Sequence, residues 1–73
     1  MNVGERIRAI REDHDLYQKD IAKILQTTQS YYAQYENSKR KLPIDQLVKL
    51  CLYYGVSADY ILGLPKGMKY PER

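Results

Sequence analysis

The 73-residue sequence has one cysteine, one histidine, and neither tryptophan nor phenylalanine. A lone cysteine, Cys51, cannot close an internal disulfide, which agrees with a reducing compartment. It falls on an apolar stripe and reads as a small, inert core residue. A lone histidine, His14, has no second imidazole to share a metal or a catalytic pair. Its neighbours Asp13 and Asp15 place it at a polar helix end or on the surface. No apolar run approaches the roughly 18–20 residues that a membrane span needs. No basic-then-apolar start marks a signal peptide, so the chain is expected in the cytoplasm. There is no Gly-rich phosphate loop, zinc-ligand spacing or nucleophile motif. These absences predict no enzyme, no metal, no cofactor and no small-molecule substrate. No separate effector domain is visible either.

Glycine and proline are also scarce until Gly63, where "GLPKGMKYPER" begins. The body, residues 1–64, is therefore predicted to be one helical domain, and residues 65–73 an irregular tail. A chain this short buries only about 60% of its unfolded surface, so its core is shared among short helices. Net charge is +3. That permits an acidic partner such as nucleic acid but does not require one.

The first helix is predicted to start at Asn2, an N-cap, with Glu5 completing a capping box. Val3, Ile7 and Ile10 recur at helical spacing, and "EDHD" is too polar to continue them. Leu16 then reads as a buried loop residue. A second helix, Gln18 to Leu25, buries Ile21, Ala22 and Leu25, with Asp20 complementing its dipole. Ile24 falls off that stripe and is expected to be exposed. Thr28 caps a third helix, Gln29 to Asn37. Pro43 suits the first turn of a fourth. Leu47, Leu50, Cys51 and Tyr54 form its inward stripe, and Gly55 ends it left-handed. Of Tyr53 and Tyr54, one packs and one faces out. Ser57 caps a fifth helix, Ala58 to Leu62, with Asp59 in its first turn, and Gly63 stops it. The prediction is all-α: five short helices and no strand.

Two helices of about eight residues joined by a three- to four-residue turn have the spacing of a helix-turn-helix. Three of the eight tyrosines crowd into the third helix. At 100° per residue, Tyr32, Tyr35 and Glu36 fall on one side, and Gln29, Ser30, Ala33 and Gln34 on the other, with Tyr31 on the flank. Amides can bond the N6 and N7 edge of adenine in a major groove. Small Ser30 and Ala33 allow close approach and contact with a thymine methyl. The basic run Lys39, Arg40 and Lys41 follows, where it could meet phosphates. The same residues would also make a plain solvated face, and side-chain chemistry alone leaves both readings open.

The stretch from Val3 to about Leu64 resembles the Xre family, the Cro and phage-repressor class of helix-turn-helix domains. The resemblance rests on "RIRAIRE", on Leu16 and Gln18 before "DIAKIL", on Thr28, "YEN", "KRKLP" and "LVKLCLYYGVSADYIL", in order and at family spacing. It implies a compact five-helix lambda-repressor-like domain whose second and third helices bind double-stranded DNA. Gln29, Ser30 and Gln34 match base-contacting positions, with Ala33 on the same face. Gln18 matches a residue that holds phosphate and supports the first recognition residue. Asn37, Lys39 and Arg40 match phosphate-contacting positions, and Arg11 and Glu36 match a buried ion pair. Three departures stand out. Asp15, Gln26 and Ser38 occupy positions where members usually carry Gly, often with positive φ. Tyr17 replaces the usual Ser, Thr or Asn cap, and its hydroxyl could reach a phosphate instead.

The expected function is a sequence-specific transcriptional regulator, a repressor, acting as a homodimer on an inverted repeat. Helix five with Ile61, Leu62 and Leu64, together with the tail, is the expected dimer surface. Met68 and Tyr70 could fold back or meet the second subunit. Lys66, Lys69 and Arg73 could touch backbone, or remain a solvated tail. The alternative is a protein-interaction module or antitoxin with the same fold. Exposed Ile24 and Tyr31 and the modest charge favour it.

Overall fold

The computed structural model describes residues 2–69 and 71; Tyr70 and Arg73 of the tail lie outside the described residues. Among them are five α-helices and no strand. They are α1 (Val3–Asp13), α2 (Gln18–Ile24), α3 (Gln29–Glu36), α4 (Ile44–Tyr54) and α5 (Ala58–Leu62).

Capping chemistry sets the starts. Asn2 Oδ1 accepts from the Glu5 N–H at 2.8 Å, and Glu5 Oε1 accepts from the Asn2 N–H at 3.2 Å. Thr28 and Ser57 hydroxyls accept from Tyr31 and Tyr60 N–H groups, satisfying donors that helix starts leave orphaned. Tyr17 has no such oxygen within reach. There the reverse bond does the work: Asp20 Oδ2 accepts from the Tyr17 N–H at 2.8 Å. Gly55 (φ 69°) and Gly63 (φ 73°) close α4 and α5 in the left-handed conformation. Three boundaries differ from the sequence expectation by one residue. Leu25 and Asn37 are C-caps rather than helical, and Pro43 is an N-cap rather than first-turn.

The core is built from Ile7 and Ile10 of α1, Ile21, Ala22 and Leu25 around α2, Tyr32 and Tyr35 of α3, Leu47 and Leu50 of α4, and Ile61 of α5. Leu16, Cys51 and Tyr54 pack against it partly buried, while Tyr53 is about half exposed. Two expectations fail. Ile24 is half-buried against the core rather than exposed, because the neighbouring helices that pack beside it are absent from a wheel of α2 alone. Ile61 is fully buried, because α5 is a single turn whose one apolar anchor must face α1 and α4. It is not free to join a dimer surface.

Two backbone features position α3. Gly4 has no room for a side chain: an added Cβ would stand 2.5 Å from the Glu36 carbonyl oxygen and 2.7 Å from that of Tyr35. The first turn of α1 thus touches the last turn of α3 backbone to backbone. The loops flanking α2 and following α3 carry non-glycine residues at positive φ: Asp15 (55°), Gln26 (56°) and Ser38 (61°). These are the three positions where the resembled family usually has glycine. A Cβ in this conformation costs about 1–2 kcal/mol.

Two substitutions at these sites should have opposite signs. Gly4→Ala should destabilise by about 1–3 kcal/mol through overpacking. Ser38→Gly should stabilise by up to about 1 kcal/mol, the relief of strain less the flexibility glycine adds to the unfolded chain. Urea unfolding of both variants reads the signs directly.

Candidate nucleic-acid interface

The helix-turn-helix is α2, the turn Leu25–Thr28, and α3. What holds α3 at its angle is Glu36, a buried carboxylate in its last turn. The Arg11 guanidinium grips it with two bonds, Nε to Oε2 at 2.7 Å and Nη2 to Oε1 at 3.0 Å. Gln18 Nε2 donates to Glu36 Oε1 at 3.1 Å. Arg11 Nη1 donates to the Leu16 carbonyl at 2.8 Å. One cluster therefore ties α1, the α1–α2 loop, α2 and α3 together. Burial alone would push the Glu36 carboxyl up. The Arg11 bonds, the neighbouring Tyr32 hydroxyl, the Gln18 bond and the Arg11 charge outweigh it and hold the carboxyl below its ordinary range. Burial, and then the nearby Glu36 carboxylate, push the Tyr32 phenol far above its ordinary range, so this ring stays neutral in the core.

With the rings of Tyr32 and Tyr35 turned inward, the opposite face of α3 is presented outward. Gln29 and Ser30 are exposed at its start, and Ala33 and Gln34 are half-buried further along. Gln29 shares a shallow recess of about 320 Å³ with Arg11, Tyr17, Gln18 and Lys19. Tyr17 is 70% exposed and stands at the rim. Gln18 lies beside Gln29 in this recess, yet its amide nitrogen is engaged by Glu36. The Thr28 hydroxyl accepts from Tyr31 N–H, so it caps α3. Asn37, Lys39, Arg40 and Lys41 all lie exposed beyond the far end of α3.

Tyr31, on the flank, is 38% exposed. Its ring meets Tyr35 edge-on, centroids 5.7 Å apart, and the Arg40 guanidinium carbon lies 4.4 Å from its centroid. Arg40 Nε also donates to Gln34 Oε1 at 3.3 Å. Sequence reasoning separated these three residues; the structure joins them. It also overlooked Lys19, whose ammonium lies 5.6 Å from the Tyr17 ring centroid beside Gln29. A signal was available: a lysine in the first turn of a helix works against the dipole, so its position needs another reason.

His14 is the C-cap of α1, its Nδ1 2.8 Å from the Ile10 carbonyl and its ring 5.0 Å from that of Tyr54. Among the described residues, no group of three or more potential ligands could hold a metal, and no helix is long and apolar enough to cross a membrane.

Residues 4–66 match the family model described as a helix-turn-helix domain. The chain belongs to this family. Its domain is of the Cro and phage-repressor type. Two relatives come from Bacillus subtilis strain 168. One is named uncharacterized HTH-type transcriptional regulator YobD, 42% identical over 60 residues, covering 82% of this chain and 54% of that protein. The other is the HTH-type transcriptional regulator ImmR, 35% identical over 72 residues, covering 99% of this chain and 57% of that protein. The chain thus spans little more than half the length of either. Among solved structures, the P22 c2 repressor in complex with a synthetic operator has a TM-score of 0.77 at 29% identity, covering 85% of this chain and 94% of that one. A transcriptional regulator from Listeria innocua has a TM-score of 0.83 at 23% identity, covering 96% and 65%, and speaks to the fold.

The Glu36 cluster predicts a pH dependence with a definite sign. Its carboxyl is lowered in the folded state. Its contribution to stability is therefore complete above the unfolded value of about 4.3 and is lost as pH falls through the lower folded value. Arg11→Met should cost roughly 3–5 kcal/mol at pH 7, because it leaves the carboxylate buried without its partner. The deficit should shrink as acid protonates Glu36. Urea unfolding of both proteins from pH 7 to pH 3 measures it.

Proposed function

We propose that the chain is a sequence-specific DNA-binding transcriptional regulator, a repressor, that lays α3 in the major groove. The observation that carries this reading is the two-faced α3. Its rings are buried, and its outward face is small and amide-bearing, at the helix position of a domain similar to a repressor seen with operator DNA. Gln29, Ser30, Ala33 and Gln34 read base edges. The Gln29 amide bonds adenine, while Ser30 and Ala33 let the helix approach and touch thymine methyls. Tyr17, Gln18, Thr28, Asn37, Lys39 and Lys41 lie around this face and set register through phosphates. Gln18 Nε2 gives one hydrogen to Glu36 and keeps a second that can donate to a phosphate without the amide turning. Arg40 stands apart, because its guanidinium is already engaged by Tyr31 and Gln34.

A domain of this size makes few contacts, and a homodimer on an inverted repeat doubles them. Half-sites would then lie about 34 Å apart, one helical turn. An apolar surface supports the dimer. Leu62, Leu64 and Met68 are exposed after the core turn of α5. A second stripe runs along α4, where Ile44 is 80% exposed, Leu52 is 79% exposed, and Val48 between them is half exposed. Residues at i, i+4 and i+8 share one helix face. Exposed apolar area of this kind also suits a protein partner. The interaction-module reading loses Ile24, however, which is half-buried.

Selection of bound duplexes from random DNA at physiological salt tests the proposal. An inverted repeat should emerge, and a pool without enrichment would transfer the weight to a protein-binding role. On the selected site, Gln29→Ala should lose about 1–3 kcal/mol while non-specific binding stays constant. Lys39→Ala should weaken every sequence alike and lower the salt slope by about 1.

A further inference from the structure

Gln34 is held at both ends by the loop that follows α3. Its backbone carbonyl accepts from the N–H groups of Lys39 at 2.9 Å and Arg40 at 3.2 Å. Its side-chain Oε1 accepts from Arg40 Nε at 3.3 Å. The loop thus doubles back over the last turn of the helix and delivers one guanidinium to one amide. That guanidinium rests on the Tyr31 ring, 4.4 Å from its centroid, within the range of a cation–π contact. Tyr31 in turn leans edge-on against Tyr35, which is buried in the core. Tyr31 and Gln34 are three residues apart on α3 and so lie side by side. The chain of contact runs from the core through two rings to a cation, and from the cation to an amide on the outward face.

We infer that Arg40 is a positioning residue for Gln34, and that through Gln34 it decides which purine the helix prefers. This rests on the DNA-reading role proposed above. A free glutamine amide can present its oxygen or its nitrogen by turning over. Here turning would set the NH2 group against the guanidinium N–H, donor against donor, so the oxygen stays with Arg40. What remains of the amide to meet a base is its Nε2 hydrogens. Both are donors. Guanine shows two acceptors, N7 and O6, in the major groove, whereas adenine shows one acceptor and one donor. The Arg40–Gln34 pair therefore matches guanine better than adenine. A lone glutamine has the opposite preference.

This differs from an ordinary phosphate contact in what it does to sequence preference. An arginine that only meets phosphate adds the same affinity to every site. An arginine that fixes an amide changes the ratio between sites and leaves the rest of the motif alone.

The test uses the full chain and the duplex selected by the wild-type protein. Each base pair is replaced in turn by the other three, and binding is measured for wild type, Arg40→Ala, Arg40→Lys and Tyr31→Leu, each verified as folded by its thermal transition. In wild type, one position should favour guanine over adenine. Arg40→Ala should move that ratio toward adenine by about tenfold, the scale of one bidentate base contact, and leave other positions unmoved. Arg40→Lys keeps the charge but lacks both the planar stack and the Nε donor. It should move the ratio in the same direction while the salt slope stays near wild type. Tyr31→Leu should shift it part of the way. On a Gln34→Ala background, Arg40→Ala should no longer alter the ratio. If the ratio stays fixed while Arg40→Ala weakens all duplexes equally, Arg40 is a phosphate contact and the inference is overturned. If wild type selects no motif, the DNA-reading proposal itself is overturned, which is a separate and recognisable result.

Discussion

Glu36 is the last residue of α3, at the end opposite its Thr28 cap. A carboxylate buried there must be satisfied on both oxygens, and the partners that satisfy it come from α1 and α2. Meeting one electrostatic demand therefore fixes three helices relative to one another. Hydrophobic contact alone would tolerate sliding, because apolar surfaces attract without direction. The guanidinium fork has a fixed shape, and its third nitrogen also claims the Leu16 carbonyl of the intervening loop. The small core supplies cohesion, and the ion pair supplies the angle.

That division explains what could be read from the sequence. Caps are local chemistry, so Asn2 with Glu5, Thr28 and Ser57 announced their helices within a few residues. The faces of α3 followed from periodicity, because rings and amides differ so strongly. The glycine-for-residue departures at Asp15, Gln26 and Ser38 pointed to three left-handed turns, each found at positive φ. The failures were of another kind. Ile24 and Ile61 depended on which neighbours surrounded them, and a helix wheel holds no neighbours. The α4 stripe of Ile44, Val48 and Leu52 is exposed beside the inward face of the same helix, and helical spacing alone does not tell a second apolar face from the first. The Arg40–Tyr31–Gln34 cluster needs the loop to fold back on the helix. Its turn is set by Ser38, whose conformation a residue-by-residue reading could suggest but not aim.

The tyrosines have two duties. Tyr32 and Tyr35 fill the core as phenylalanines would elsewhere. The Tyr32 hydroxyl is buried beside the Glu36 carboxylate, which phenylalanine could not meet with a polar group. Tyr31 uses its face rather than its hydroxyl, carrying a cation to the outside of the same helix. In this way a helix of eight residues packs with one set of rings and displays with the neighbouring one.

The contact at Gly4 has a geometric consequence. The spacing between α1 and the end of α3 is set by backbone atoms, so no rotamer change can absorb an error there. A methyl group at that point would need to move from 2.5 Å to an ordinary separation of about 3.4 Å, a displacement near 1 Å. Acting at one end of an eight-residue helix about 12 Å long, it would swing the axis by about 4°. The rotation would carry Gln34 and Gln29 through different arcs, so no single shift of the whole domain could return both to register. The aim of α3 is thus calibrated by a hydrogen atom on a residue more than twenty positions away from its first amide.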